Sequence, residues 1–159
     1  MCAINKIDFE PNIIAFCCRW CSYSAADLAG SMRIKYPANV KIVQVPCTGR
    51  VATIHILNAI ENGADGVFLS GCLLGDCHYI SGNEMATIHI KYVKKLFIGM
   101  GIEPESVNMY YNSASMGPQF AETCRTFTEI IKRLGPICKK VKKHNLLNIE
   151  LPGHYPVCS

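Results

Sequence analysis

Gly71-Cys72-Leu73-Leu74-Gly75-Asp76-Cys77-His78-Tyr79 is the stretch from which the fold can be read. It sets two cysteines in a loop with two glycines. The apolar run Gly66-Val67-Phe68-Leu69-Ser70 leads into it, and a helical pattern follows. Such a short continuous run, bounded by turn residues, suits a strand buried on both faces of a parallel sheet. Two other segments end alike. Asn12-Ile13-Ile14-Ala15-Phe16 runs into Cys17-Cys18-Arg19-Trp20-Cys21, and Val40-Lys41-Ile42-Val43-Gln44-Val45 runs into Pro46-Cys47. Each of the three expected strands delivers cysteine at its C-terminal end.

Working outward, strand and helix alternate. After Cys21 a helix is expected from Ser22 or Ser24, with Ser24 and Asp27 placed like a capping box. Ala25, Leu28, Met32 and Tyr36 form its apolar stripe, and Pro37 ends it. Val40–Val45 is the second strand, and Thr48-Gly49-Arg50 makes a turn. Val51, Ile54, Ile56, Leu57 and Ile60 mark a second helix that Asn62-Gly63 stops. Beyond the Cys72–Cys77 loop, Met85, Ile88, Tyr92, Leu96 and Met100 give the expected core face of a third helix. Val107–Tyr111 is the fourth strand. Gly117-Pro118 opens a last helix with Phe120, Cys124, Phe127, Ile131 and Leu134 on one face, closed by Gly135-Pro136. The reading is a single flavodoxin-like, three-layer α/β domain over 1–136, with a four-stranded parallel sheet. Residues 137–159 read as a C-terminal tail that packs on the domain or a partner. Right-handed crossovers put all strand C-termini along one edge, where open α/β sheets bind ligands.

At 159 residues the chain fits one domain with a real core. Half its residues are hydrophobic and 18% are charged, which excludes a disordered tail. The formal charge of +4 is mild and concentrated late in the chain, so nucleic-acid binding is not indicated. No apolar stretch is long enough for a transmembrane helix, and the N-terminus lacks the pattern of a secretory signal. The chain reads as cytoplasmic. Ten cysteines in that setting point to metal or redox chemistry rather than structural disulfides.

Thiolate sulfur suits iron or zinc, and a four-coordinate site needs four ligands. Candidate ligands are Cys18, Cys21, Cys47, Cys72 and Cys77. Cys17 and Cys18 face opposite ways along a strand, and Cys18 is chosen as the ligand. Gly71 and Gly75 would let the loop backbone approach the site and donate N–H bonds to sulfur. The His78 ring is expected to hydrogen-bond to the loop or to the bound group. Trp20 would shield the site. Cys124 reads as a core residue. Cys2, Cys138 and Cys158 read as incidental, as do His55, His89, His144 and His154. The cluster Lys139, Lys140, Lys142 and Lys143 reads as a solvated face. Spacing alone does not separate an iron–sulfur cluster from zinc. A thiol–disulfide oxidoreductase using Cys18-x-x-Cys21, or a zinc-stabilised adaptor, are the alternatives. No catalytic acid–base pair is evident.

Cys18-Arg19-Trp20-Cys21-Ser22-Tyr23-Ser24-Ala25-Ala26-Asp27-Leu28-Ala29-Gly30, Cys47-Thr48-Gly49-Arg50-Val51, Gly63-Ala64-Asp65-Gly66-Val67 and the run from Gly71 to Asn83 resemble a known family. It is the delta (iron–sulfur) subunit of the methyl-viologen-reducing, F420-non-reducing [NiFe] hydrogenase of methanogenic archaea. The likeness covers about residues 12 to 135. It departs at Ala52, where an acidic residue is usual, and at Leu73-Leu74, where His-Pro is often found. The resemblance implies an electron-transfer subunit with one [2Fe-2S] cluster, not itself catalytic. It would relay electrons from a [NiFe] hydrogenase small subunit, or from formate dehydrogenase, to the flavin-containing A subunit of heterodisulfide reductase. That assembly serves electron bifurcation in methanogenesis. The five candidate cysteines match the family's motif cysteines, one more than four coordination positions require.

Overall fold

A computed structural model describes residues 9–137. The tail beyond Ile137, with its lysine cluster, and Cys2, Cys138, Cys158, His144 and His154 lie outside these residues. The described residues run β1 (Ile13–Cys18), α1 (Ser22–Ser31), β2 (Val40–Val45), α2 (Thr53–Glu61), β3 (Gly66–Gly71), α3 (Gly82–Gly99), β4 (Val107–Tyr111) and α4 (Gly117–Leu134). The four strands form one parallel sheet in the order β2-β1-β3-β4. This is the flavodoxin-like order, as expected. The order reverses between β1 and β3, so a crevice opens at their C-terminal ends.

The apolar pattern explains the layers. β3 is buried throughout and lies between β1 and β4. Phe68 faces the layer of α1 and α4, with Ala25, Phe120, Cys124 and Phe127. Val67 and Leu69 face the layer of α2 and α3, with Ile56, Ile90, Val93 and Phe97. Each fully buried side chain of this size contributes about 1.5–3 kcal/mol. Ile137 closes the second layer.

Two helices differ from expectation. In α3 the buried residues are Asn83, Ala86, Ile90, Val93 and Phe97, one step out of phase with the expected stripe. Met85 and Ile88 are exposed. The sequence carries apolar residues on both stripes, and Phe97 wins the core because the sheet offers the larger burial on its side. Helix α1 stops at Ser31 rather than Pro37. The Arg33 N–H donates to Gly30 O and the Ile34 N–H to Ala29 O, with Arg33 at φ 55°. This is a Schellman ending with arginine in the left-handed position. Tyr36 then folds back edge-on to Phe120. The Ser24 capping box does not form: Cys21 is the N-cap, and the Ser24 hydroxyl donates to Arg19 O.

Candidate metal centre

The sheet itself spaces the thiols. Cys18 ends β1, Cys72 follows β3 by one residue and Cys47 follows β2 by two. Neighbouring strands lie about 4.8 Å apart, and the Cys18 and Cys72 sulfurs are 3.9 Å apart. Cys21, at the N-cap of α1, completes a buried triad with them, all three Sγ atoms lying within 4.8 Å of one another. Cys47 and Cys77 form a neighbouring pair. Both sulfurs lie against Gly82 at the start of α3: a Cβ there would sit 2.2 Å from the Cys47 sulfur and 3.2 Å from that of Cys77. Cys18 lies close enough to Cys47 to affect its ionisation, so triad and pair adjoin.

Backbone dipoles converge on these sulfurs. The Cys21 thiol donates towards Cys18, and the N–H groups of Trp20 and Cys21 also face that sulfur. Together they outweigh burial and pull the Cys18 thiol down to about 6. The same bond from Cys21 to Cys18 holds the proton on Cys21 and, with burial, pushes its thiol far above the usual range. Burial raises Cys72, opposed by the Cys21 thiol and the His78 N–H. Burial also raises Cys47, opposed by the Gly49 N–H. Burial is the largest single influence on Cys77 and raises it, yet the N–H groups of Tyr79, Asn83 and Gly82 together bring that thiol below its ordinary value. Oriented N–H groups at helix starts favour negative sulfur.

The other expected residues are placed as follows. The His78 ring stacks on Trp20 with centroids 4.0 Å apart, and its backbone N–H faces the Cys72 sulfur. Trp20 Nε1 donates to the Tyr79 hydroxyl. Gly71 lies at the end of β3, where a Cβ would meet Thr48 Oγ1 at 2.7 Å and Met109 Cε at 2.9 Å. Gly75 turns the loop at φ 87° with open space around it. Trp20, Leu74, Tyr79, Ile80 and Met85 are exposed around the thiols, which is the apolar rim a covering partner would need. Cys17 lies in the α1/α4 layer with Cys124.

Sequence reading passed over three supports. Gly82 is the glycine of closest approach to sulfur; its place at the first turn of a helix was the available signal. Asn83 is buried and donates to Cys72 O and Leu73 O, clamping the loop. Beneath the triad, Asn112 donates to Ser70, Ser70 donates to Ser22, and Ser22 reaches Gly71 O. Nothing local in sequence links those three residues. A cavity of about 230 Å³ opens beside them, lined by Trp20, Cys21, Cys72, Asp76, His78 and Asn112. Among the described residues the buried Asn112 Oδ1 has no hydrogen-bond partner. No helix among the described residues is long and apolar enough to cross a membrane.

An all-sulfur, largely buried donor set with N–H groups aimed at it can hold a thiophilic metal group. Comparison with known proteins agrees. The family model of the methyl-viologen-reducing hydrogenase, delta subunit, matches residues 13–135. The iron-sulfur D subunit of the F420-non-reducing hydrogenase of Archaeoglobus profundus is 50% identical over 129 residues, 81% of this chain and 94% of that relative. The vhu iron-sulfur D subunit of the F420-non-reducing hydrogenase of Methanopyrus kandleri is 44% identical over 128 residues, 80% of this chain and 97% of that relative. The A subunit of the ferredoxin/F(420)H(2)-dependent CoB-CoM heterodisulfide reductase of Methanosarcina acetivorans is 38% identical over 133 residues. Those are 84% of this chain and 17% of that longer polypeptide.

Proposed function

We propose that this chain, which belongs to the family of the delta subunit of methyl-viologen-reducing hydrogenase, is an electron-transfer subunit carrying one [2Fe-2S] cluster. The observation that carries the reading is the convergence of Cys18, Cys21, Cys47, Cys72 and Cys77 at one sheet edge, with backbone N–H groups facing sulfur. When bound, such a cluster supplies one-electron redox chemistry. The chain's own residues supply the thiolates, the N–H dipoles that balance their charge, and the Trp20–His78 stack at the rim of the site. Gly71 and Gly75 shape the loop that carries Cys72 and Cys77.

The donor is a [NiFe] hydrogenase small subunit or formate dehydrogenase, and the acceptor is the A subunit of heterodisulfide reductase, in the cytoplasm. Two features support the acceptor. A stretch like this chain forms part of the A subunit of a heterodisulfide reductase in Methanosarcina acetivorans, so a domain of this kind is covalently joined to an A subunit there. The exposed apolar rim around the thiols offers a surface for such a neighbour.

The test is iron, sulfide and zinc content of the anaerobically purified chain, with EPR before and after dithionite. About two irons and two sulfides per chain, with a spin-half signal only on reduction, is the expected result. Stoichiometric zinc would sink the relay and support the adaptor reading. A metal-free chain with a titratable dithiol would support the thiol oxidoreductase.

A further inference from the structure

Helix α3 carries two apolar stripes, and the sheet buries only one of them. The other, Met85, Ile88, Tyr92 and Leu96, also falls at helical spacing. Met85 and Ile88 are exposed, and Tyr92 and Leu96 are half-buried. This second stripe runs along the flank of α3 towards α2. Met85 stands beside Gly49 and Arg50, which lead into α2, and the His89 ring on the same flank meets Val51 O. Lys94, on the opposite flank, donates to Asn108 of β4. Among the described residues, nothing covers the Met85–Ile88 part of the stripe.

The sequence itself supplies a cover. Residues 138–159 follow Ile137, and Ile137 packs in the α2/α3 layer beside Ala64, Ile102 and Val107. The chain therefore leaves the described structure on the side that bears the stripe, at the N-terminal edge of the strands. Charge at that edge is uneven. The links into β3 and β4 carry Glu61, Asp65, Glu103 and Glu105, whereas α4, on the other side of the sheet, ends in Lys132 and Arg133. The next charged residues in sequence are Lys139, Lys140, Lys142 and Lys143, which the acidic side attracts. Leu147, Ile149 and Leu151 then alternate with Asn148 and Glu150, the pattern of a segment with one apolar face. The lengths agree. Leu96 to Met85 covers about 16 Å at about 1.5 Å per helical residue. Leu146 to Leu151 covers about 16 Å at about 3.3 Å per extended residue. We propose that residues 146–151 of this same chain lie along α3 over Met85, Ile88, Tyr92 and Leu96, with Lys139–Lys143 held at the acidic edge. The proposal is independent of the cluster reading.

The test is photo-cross-linking of the full chain, purified anaerobically and kept dilute, with p-benzoylphenylalanine placed at Ile88 or at Tyr92. The control position is Gln119, exposed on α4 in the other layer. Far-UV circular dichroism checks that each variant is folded. Both α3 positions are expected to cross-link to a peptide containing residues 146–151, in a product with the mass of one chain, and Gln119 is not. Leu147→Asp combined with Ile149→Asp should abolish that product. Changing Lys139, Lys140, Lys142 and Lys143 to glutamine should lower its yield. A product with the mass of two chains, or one joined to a different protein, overturns the proposal. So do the absence of the 146–151 peptide at both α3 positions, its equal capture from Gln119, and a yield that neither set of substitutions changes.

Discussion

Cys17 and Cys18 are neighbours in one strand and equally shut off from water, yet they live in different chemical worlds. Cys17 lies between β1 and the α1/α4 layer, among Ala25, Phe120 and Cys124. Burial pushes its thiol well above the ordinary value, and the nearby Cys124 adds to the rise. Cys124 itself is pushed up to about 12 by burial. Cys18 is 1% exposed but is drawn down to about 6. Surface exposure does not separate them; hydrogen-bond partners do, first the Cys21 thiol that donates to Cys18 and then the backbone N–H groups beside it. At Cys17 the strand is paired with Gln44 on one side and Ser70 on the other, so its neighbouring amides are spent in the ladder. At Cys18 the ladder to β3 has ended, and the N–H groups of Trp20 and Cys21 in the next turn face the sulfur. Where the ladder to β3 stops the thiol joins the buried cysteine triad, and one residue earlier it packs as a hydrophobe.

That contrast can be broken most forcefully by exchanging sulfur for oxygen in each setting. On the proposed cluster reading, Cys72→Ser is expected to cut bound iron to less than about a tenth of the wild-type content. Cys124→Ser is expected to leave iron content unchanged and to cost about 1–3 kcal/mol of unfolding free energy, because its new hydroxyl enters an apolar layer. Iron analysis and urea unfolding read the two effects separately. If Cys124→Ser also emptied the site, the layers would not be independent.

A smaller effect is expected at Gly82, the first residue of helix α3, which packs against the Cys47 and Cys77 sulfurs. Gly82→Ala drives a methyl group to 2.2 Å from the Cys47 sulfur, so the pair must move. Iron content should fall to about half or less, with about 1–3 kcal/mol of overpacking cost. Gly99→Ala in the same helix meets nothing within 4 Å among the described residues and serves as the control.

Ionisation sharpens the contrast without changing a metal. In the metal-free chain, thiolate absorbance should rise as pH climbs through about 6, where Cys18 loses its proton. Cys18→Ser should remove that step. Cys17 and Cys124 should remain protonated up to pH 9, since burial has raised both. The smallest effect belongs to the rim. Trp20→Ala removes the stack on His78, a contact type worth about 0.5–1.5 kcal/mol. It should leave iron content intact while the visible absorption of the loaded chain bleaches faster in air.

The division between what could and could not be read from sequence runs along particular residues. The strands were legible because parallel strands buried on both faces are short apolar runs, and Val67-Phe68-Leu69 has no other comfortable place. Helix α2 ended where Asn62-Gly63 indicated, with Gly63 at φ 94°. The phase of α3 was not legible. Met85, Ile88 and Leu96 make as good a stripe as Ala86, Ile90, Val93 and Phe97, and only the sheet decides between them. The five edge cysteines were legible as a set, because each follows an expected strand or lies within one turn of it. Their grouping into three and two was not.

Sequence by itself determined the α/β alternation, the parallel sheet and the arrival of cysteine at one edge, since these follow from local periodicity and from the chirality of crossovers. Tertiary structure decided which sulfurs stand together, which amides face them, that Gly82 makes room for Cys47 and Cys77, and that Asn112, Ser70 and Ser22 brace the triad from below. Those are contacts between residues far apart in the chain. Their strength depends on distances of a few tenths of an ångström, which no pattern along a single strand or helix encodes.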